Sequence, residues 1–412
     1  VTLVHKLRYG DGKVNARYLT GGVEGGGWKT DADGRDYYAR GRFALGNDFD
    51  YVTTDNYLRA DIDTGAVSHQ LLVGLDYTRA NELYRTGNSA AQPEYDLYPS
   101  SPDYGRGGAT PAYATGRDTR MTQLGLYAQN VMTFGNWRAH IGVRHDKVDR
   151  DVRDTVADRQ TTDQSDSANS VNAGLLYAFD NGVSVYGSYG TSFQPATQID
   201  KNGDPLQPVR GKQIEVGVKY QPEGTETLLT LAAYRATEQN AAKYAGFDPV
   251  VGSYYDAVGE IVSKGIEAQA RTELGNGFSL IASYAWNRAR ITEDVVADNI
   301  GNTPVQTPKT IASLWVDYEV PDGPLSGLTL GGGLRHIGKN YAGNDNLLEN
   351  DAVTRVDLAA HYDFGKYDPR YEGLEASLNV SNVADKRETV CATGYCYLGE
   401  ARTISASLRY SF

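Results

Sequence analysis

The side chains in this sequence best suited to chemistry are its tyrosines. Thirty Tyr stand against nine Phe, and they crowd three polar stretches. Tyr84, Tyr95, Tyr98, Tyr104 and Tyr113 lie between 80 and 119, Tyr244, Tyr254 and Tyr255 between 239 and 256, and Tyr395 and Tyr397 on either side of Cys396. A phenol offers a flat apolar face and one hydrogen-bonding hydroxyl, which suits the grip of an organic ligand. The alternative is that any one of them packs within a loop or joins an interfacial aromatic belt. Catalytic patterns are missing: the sequence has no Gly-x-Ser-x-Gly elbow, metalloprotease motif or phosphate loop, so no enzyme activity and no cofactor are expected. His5, His69, His140, His145, His336 and His361 are scattered without ligand spacing; His140 and His361 read as inward hydrogen-bonding groups. The acidic run Asp31 to Asp36 has Arg42 where a calcium loop needs its bidentate Glu, and is expected to be a surface turn.

The elements that must position these residues are strands. In the last stretch, Ile404, Ala406, Leu408, Tyr410 and Phe412 alternate with Thr403, Ser405, Ser407, Arg409 and Ser411, so one face suits lipid and the other water. The same period of two runs through Trp137 to Val143, Phe278 to Trp286 and Leu374 to Val380, with charge always on the opposite face. A charge turned to the bilayer midplane costs about 2 to 4 kcal/mol, so this sorting fixes register. Connections alternate in length. Short ones fall at Gly10 to Gly12, 64–66, 135–136, 180–182, 221–225, 273–277, 321–327 and 365–373. Long polar ones fall near 20–53, 80–119, 151–168, 194–211, 239–256, 292–307, 339–351 and 384–400. Tight turns on one side and long loops on the other are the rhythm of an outer-membrane barrel. The expected fold class is all-β, a transmembrane antiparallel β-barrel with 17 strands present. The first two are Thr2 to Tyr9 and Lys13 to Leu19, and Arg40 to Leu45 is assigned to a loop hairpin; since single-chain barrels close with an even number, seventeen suggests that the chain begins inside a larger barrel, whose closing strand pairs with that barrel's own first strand.

Composition agrees. Forty-six Gly, two Met and a mean hydropathy of -0.49 suit many short strands, many turns and a wet interior. No apolar run approaches the roughly 18 residues of a spanning helix. A net charge of -12 argues against a nucleic-acid partner. No signal peptide is visible at Val1, and the chain reads as mature, trimmed or fragmentary. Cys391 and Cys396 are the two cysteines; a disulfide between them would suit an oxidising compartment and contribute roughly 2 kcal/mol by chain entropy, and two free thiols are the alternative.

Several stretches resemble the TonB-dependent siderophore receptors: HQLLVGLDY from His69, YGSYGTSFQP from Tyr186, GKQIEVGVKY from Gly211, SKGIEAQA from Ser263 and NVSNVADKRE from Asn379. The ending VCATGYCYLGEARTI from Val390 is most similar to the ferric hydroxamate group, which carries a cysteine pair in the last outer loop. The resemblance implies a bacterial outer-membrane receptor that takes up a ferric siderophore with energy from the TonB complex, set among outer-membrane lipid and lipopolysaccharide. A passive porin-like channel or surface-binding barrel is the alternative. It also implies a 22-stranded barrel with a globular plug, so that residues 1–412 are expected to be an N-terminally incomplete barrel domain without the plug. Iron would arrive already saturated by the ligand, leaving Tyr84, Tyr95, Tyr98, Tyr104, Tyr244, Tyr395 and Tyr397 to hold the organic shell.

Overall fold

The computed structural model describes residues 1–20, 27–90, 92–94, 109–248, 252–392 and 395–412. Its main sheet holds eighteen strands. Two of them, Gly27–Thr30 and Gln92–Glu94, are short ribbons on one neighbour. The others are the staves: β1 (Thr2–Thr20), β2 (Asp36–Thr64), β3 (Val67–Asn88), β4 (Thr115–Phe134), β5 (Trp137–Asp154), β6 (Arg159–Ala178), β7 (Val183–Gln194), β8 (Val209–Tyr220), β9 (Leu228–Asp248), β10 (Gly252–Gly275), β11 (Phe278–Glu293), β12 (Thr310–Glu319), β13 (Leu328–Ile337), β14 (Val353–Asp363), β15 (Leu374–Ser381) and β16 (Thr403–Tyr410). Each pairs antiparallel with the next in sequence.

Register carries the expected sorting from strand to strand. Val73 faces Ala128, Ala128 faces Val143, and Val143 faces Val171. Ala376 likewise lies opposite Leu408, and Leu378 opposite Ala406. These residues form the outer face, where Leu408 is 71% exposed. So large a continuous apolar band is unsuited to water and has the character of a membrane-facing surface. Aromatic pairs cluster beside the short turns: Trp137 with Tyr177 at 4.8 Å, Phe278 with Tyr318 at 4.6 Å and Tyr362 with Phe364 at 4.7 Å between ring centroids. They mark one interface of the membrane band.

The inner face is polar and cross-linked. Arg144 donates to Asp146 through Nε at 2.8 Å and through Nη2 at 2.6 Å, and reaches Asp76 on β3 with both Nη groups. Gln123 binds the same Asp146 at 2.8 Å, and Tyr127 donates to Asp55. On β12 the Trp315 indole donates to Asp317 at 2.8 Å and lies across the glycines of β13. A Cβ on Gly331 or Gly333 would come within 2.5 or 2.4 Å of that ring.

Three sequence expectations change. Gly10 and Gly12 make no turn: β1 runs unbroken through them, because they sit opposite Tyr51 and Phe49 and leave room for those rings. An added Cβ would meet the Tyr51 ring at 2.5 Å and the Phe49 ring at 2.4 Å. Among the described residues the staves are therefore sixteen, one fewer than expected. Arg40 to Leu45 belongs to β2 and not to a loop hairpin, and much of the expected loops at 20–53, 151–168 and 239–256 is ladder as well. Crossing a bilayer takes about 9 to 11 residues, so the 29 of β2 and the 24 of β10 stand far above it. Polar residues on both faces of such an extension hide its period from a reader looking for lipid contact. The sheet stays open: among the described residues β1 pairs only with β2 and β16 only with β15.

The expected connection 80–119 is likewise ladder at 80–88 and 115–119, with 95–108 outside the described residues, whereas the remaining short turns agree with expectation. The two-residue turn Gly135-Asn136 has Gly135 at φ +54°, a value glycine reaches without strain. Asp31 to Asp36 forms a surface turn in which Asp31 Oδ1 accepts from the Asp33 and Arg35 amides, both at 2.9 Å. Among the described residues no group of His, Cys, Asp and Glu has metal-binding geometry.

Candidate functional site

The loop-side rim is built from interlocked connections. Between β11 and β12, Thr303 takes its place through Asn346 of the β13–β14 connection. The Thr303 amide donates to Asn346 Oδ1 at 2.9 Å, and Asn346 Nδ2 donates to the Thr303 carbonyl at 2.7 Å. The Val305 amide donates to Asn344 Oδ1 at 2.8 Å. That connection in turn holds the hairpin of Thr389–Ala392 and Tyr395–Leu398 through Asn350. Cys391 and Cys396 close this hairpin as a disulfide, S–S 1.99 Å. The segment between β7 and β8 is also ordered: the Gln164 side chain on β6 points toward the Leu206 carbonyl at 3.5 Å, and the Tyr255 amide on β10 donates to the Ile199 carbonyl at 2.9 Å. It thus reaches strands on both sides of its own hairpin.

Below that segment the inner wall is hollow. A recess of about 830 Å³ is lined by Gln129, His140, Asn172 and Gln213, with Gly174 and Gly190 in its wall. His140 faces this space, yet the hydrogen-bonded histidines are others: His69 with Thr64 at 2.7 Å, His145 with Asn169 at 2.8 Å, His336 with Thr354 at 2.8 Å, and His5 with Asn56. His140 and His361 make no hydrogen bond among the described residues, contrary to the sequence reading.

The candidate tyrosines separate. Tyr84 stands on the upper inner face of β3, half-buried, with the Arg117 guanidinium 5.9 Å from its ring centre. Burial pushes its phenol up, Tyr18 adds to the shift and Arg117 opposes it. Tyr244, on β9, is 51% exposed and packs edge-on against Tyr255 at 5.8 Å. Tyr397, on the disulfide hairpin, is 63% exposed. Tyr395 lies on the same arm. Tyr95, Tyr98 and Tyr104 lie outside the described residues. No two of Tyr84, Tyr244 and Tyr397 share a ring contact among the described residues. Tyr113 sits elsewhere, over the Arg85 guanidinium at 5.0 Å.

Around Tyr84 the sequence reading passed over three charged neighbours. Strand alternation puts Glu82, Arg117 and Arg150 on the same inner face. Arg150 is 7% exposed; burial, then the nearby Arg117, lowers its pKa while Glu82 opposes. The signal was present in Val148, Arg150 and Val152, an alternation that carries β5 past the bilayer and, at Val152, into the connection expected from 151 onward.

The barrel family described as TonB dependent receptor-like, beta-barrel matches residues 1–383. The ferrioxamine B receptor of Salmonella typhimurium is 36% identical over 99% of this chain and 56% of its own length. The ferrioxamine receptor of Yersinia enterocolitica is 33% identical over 94% and 54%. The ferrichrome outer membrane transporter/phage receptor of Escherichia coli is 34% identical over 92% and 51%. The chain thus spans a little over half the length of these relatives. Among solved structures, the ferric preacinetobactin receptor of Acinetobacter baumannii superposes with a TM-score of 0.78 at 20% identity, over 100% of this chain and 60% of that one. Strand order, lipid-facing band and family match agree: the chain is an outer-membrane β-barrel and belongs to the TonB-dependent receptors.

Proposed function

We propose that the whole protein is an outer-membrane receptor that captures a ferric siderophore of the hydroxamate type at its loop-side mouth. It would pass the ligand inward with energy from the TonB complex. The observation that carries this is the similarity, along nearly the whole chain, to receptors named for ferrioxamine and ferrichrome, at 33% to 36% identity. The disulfide hairpin in the last loop is consistent with the same group. A hydroxamate complex saturates its own iron, so the protein needs aromatic surface and hydrogen bonds, not metal ligands. Tyr84, Tyr244 and Tyr397 offer these on the loop side of three different parts of the wall, and Tyr95, Tyr98, Tyr104 and Tyr395 are assigned to the same task.

The free edges of β1 and β16 support a larger closed barrel, since an unpaired edge inside a bilayer leaves backbone groups unsatisfied. We assign the remaining strands of a 22-stranded barrel, and a plug that completes the pocket and contacts TonB, to sequence outside this chain. Bilayer lipid and lipopolysaccharide are the assigned partners of the outer face. Fluorescence quenching by iron-loaded ferrioxamine B, ferrichrome and a catecholate complex tests the reading. Truncating Tyr84 or Tyr397 to Ala should weaken the hydroxamates by about 1 kcal/mol or more, and Trp137→Ala should not. A parent receptor that prefers the catecholate refutes the hydroxamate assignment.

A further inference from the structure

Arg150 is a guanidinium that folding has buried without giving it a partner. It is 7% exposed, its Nη1 has no hydrogen-bond partner, and it makes no ion pair among the described residues. A buried cation left so is costly unless something supplies the missing acceptor. The carboxylate whose charge acts on it, Glu82, is held elsewhere: Asn47 Nδ2 donates to its Oε1 at 2.9 Å. On the β4 side the neighbouring strand brings a second positive charge; on the β6 side Gln164 lies opposite Arg150 and donates to Asp166 at 2.8 Å, so that carboxylate too is engaged. Arg117 lies directly opposite Tyr84 in the β3–β4 ladder, and Arg150 opposite Met121 in the β4–β5 ladder, so both guanidinia face inward from neighbouring strands. Arg117 is exposed and stands over the Tyr84 ring. Glu82 and Asp166 both accept from neutral amides and neither pairs with Arg117 or Arg150 among the described residues, so the two guanidinia stay available on the inner wall of a chain whose net charge is -12.

We propose that Arg117, Arg150 and Tyr84 form an oxyanion subsite at the mouth, which takes a carboxylate carried by the siderophore. The proposal rests on the hydroxamate-receptor reading above and specifies the ligand further. The planar fork of an arginine matches both oxygens of a carboxylate, and the Tyr84 hydroxyl adds a third donor. Iron(III) bound by three hydroxamate monoanions is neutral, so any selection by charge must act on a pendant group. The same pair of arginines repels a pendant ammonium.

The test uses the receptor as its gene encodes it, purified in detergent. It is titrated with iron-loaded ferrioxamine B, whose free end is an ammonium, with the N-succinyl derivative, whose free end is a carboxylate, and with neutral ferrichrome. The carboxylate form should bind about tenfold tighter than the ammonium form at low salt, with the advantage shrinking as ionic strength screens the charges. Arg117→Gln and Arg150→Gln should each remove most of that preference while leaving ferrichrome affinity within about twofold, and Glu82→Gln should widen it. Because Arg117 is exposed, its variant carries the test even where the buried position disturbs folding. Equal binding of the two ferrioxamines by the parent overturns the subsite and leaves the receptor reading standing. Equal losses on all three ligands in both arginine variants also overturn it, by making the arginines structural. Binding of no hydroxamate at all refutes both.

Discussion

Asn350 grips Cys391 by both of its backbone polar groups. The Cys391 amide donates to Asn350 Oδ1 at 2.7 Å, and Asn350 Nδ2 donates to the Cys391 carbonyl at 2.9 Å. The asparagine is 5% exposed and also donates to Asn340 Oδ1 at 2.8 Å. The disulfide hairpin is therefore docked on the preceding loop by a side chain that imitates a strand edge. The disulfide closes a ring of a few residues; Asn350 decides where that ring sits.

Asn350→Ala should leave the Cys391 amide and carbonyl without partners at a cost of about 1 to 3 kcal/mol, felt locally. Hydrogen exchange at 389–398 should rise while exchange in the β14–β15 ladder stays unchanged. Unaltered protection of the hairpin would show that the disulfide alone positions it.

The Cys391–Cys396 bond itself predicts a mass signature. Unreduced tryptic peptide should be lighter than its reduced form by about the mass of two hydrogens. Complete alkylation of both cysteines without reductant contradicts it.

If β1 runs straight through Gly12, that position and Phe49 must be energetically coupled. Gly12→Val should destabilise the barrel by about 1 to 3 kcal/mol through overpacking, and Phe49→Ala should relieve part of that loss in the double variant. A hairpin at Gly10 to Gly12 predicts simple additivity. Thermal shift of the heat-modifiable folded band separates the two.

Exchanging Leu408 and Arg409 turns a charge to the lipid and an apolar chain to the lumen on a strand paired along its whole length with β15. At about 2 to 4 kcal/mol for the misplaced charge alone, the yield of folded barrel should fall sharply. Exchanging Val156 and Ala157 at the tip of the β5–β6 hairpin should leave it unchanged. Equal yields would contradict the register.

Asp154 holds that same tip. Its carboxylate accepts from the Ala157 amide at 2.9 Å and the Val156 amide at 2.8 Å. The Ala157 amide is the larger cause that lowers its pKa below the ordinary carboxylate value. A lowered folded pKa means the stabilisation is fully present above the unfolded value and is lost as pH falls through the folded one. The two tip amides should therefore keep their protection down to about pH 4 and lose it below. Asp154→Asn, which cannot titrate, should abolish this dependence; a parent protein with no change across that range contradicts it.

The sequence by itself determined which side chains face lipid and which face the lumen, because side-chain direction along a strand has a period of two that no partner can alter. Ile404 to Phe412, Trp137 to Val143 and Leu374 to Val380 were legible for that reason, as were the short turns between them. Tertiary structure alone decided how far each ladder climbs. Gly10 and Gly12 read as a turn until Tyr51 and Phe49, some forty residues away, come to lie beside them. Val152 and the rest of the climb from 151 read as loop because the alternation there no longer separates oil from water. The docking of Asn350 on Cys391, of Asn346 on Thr303, and of Arg117 beside Tyr84 joins residues from different connections or strands. Such contacts depend on the register and height of neighbouring strands, which local period does not encode.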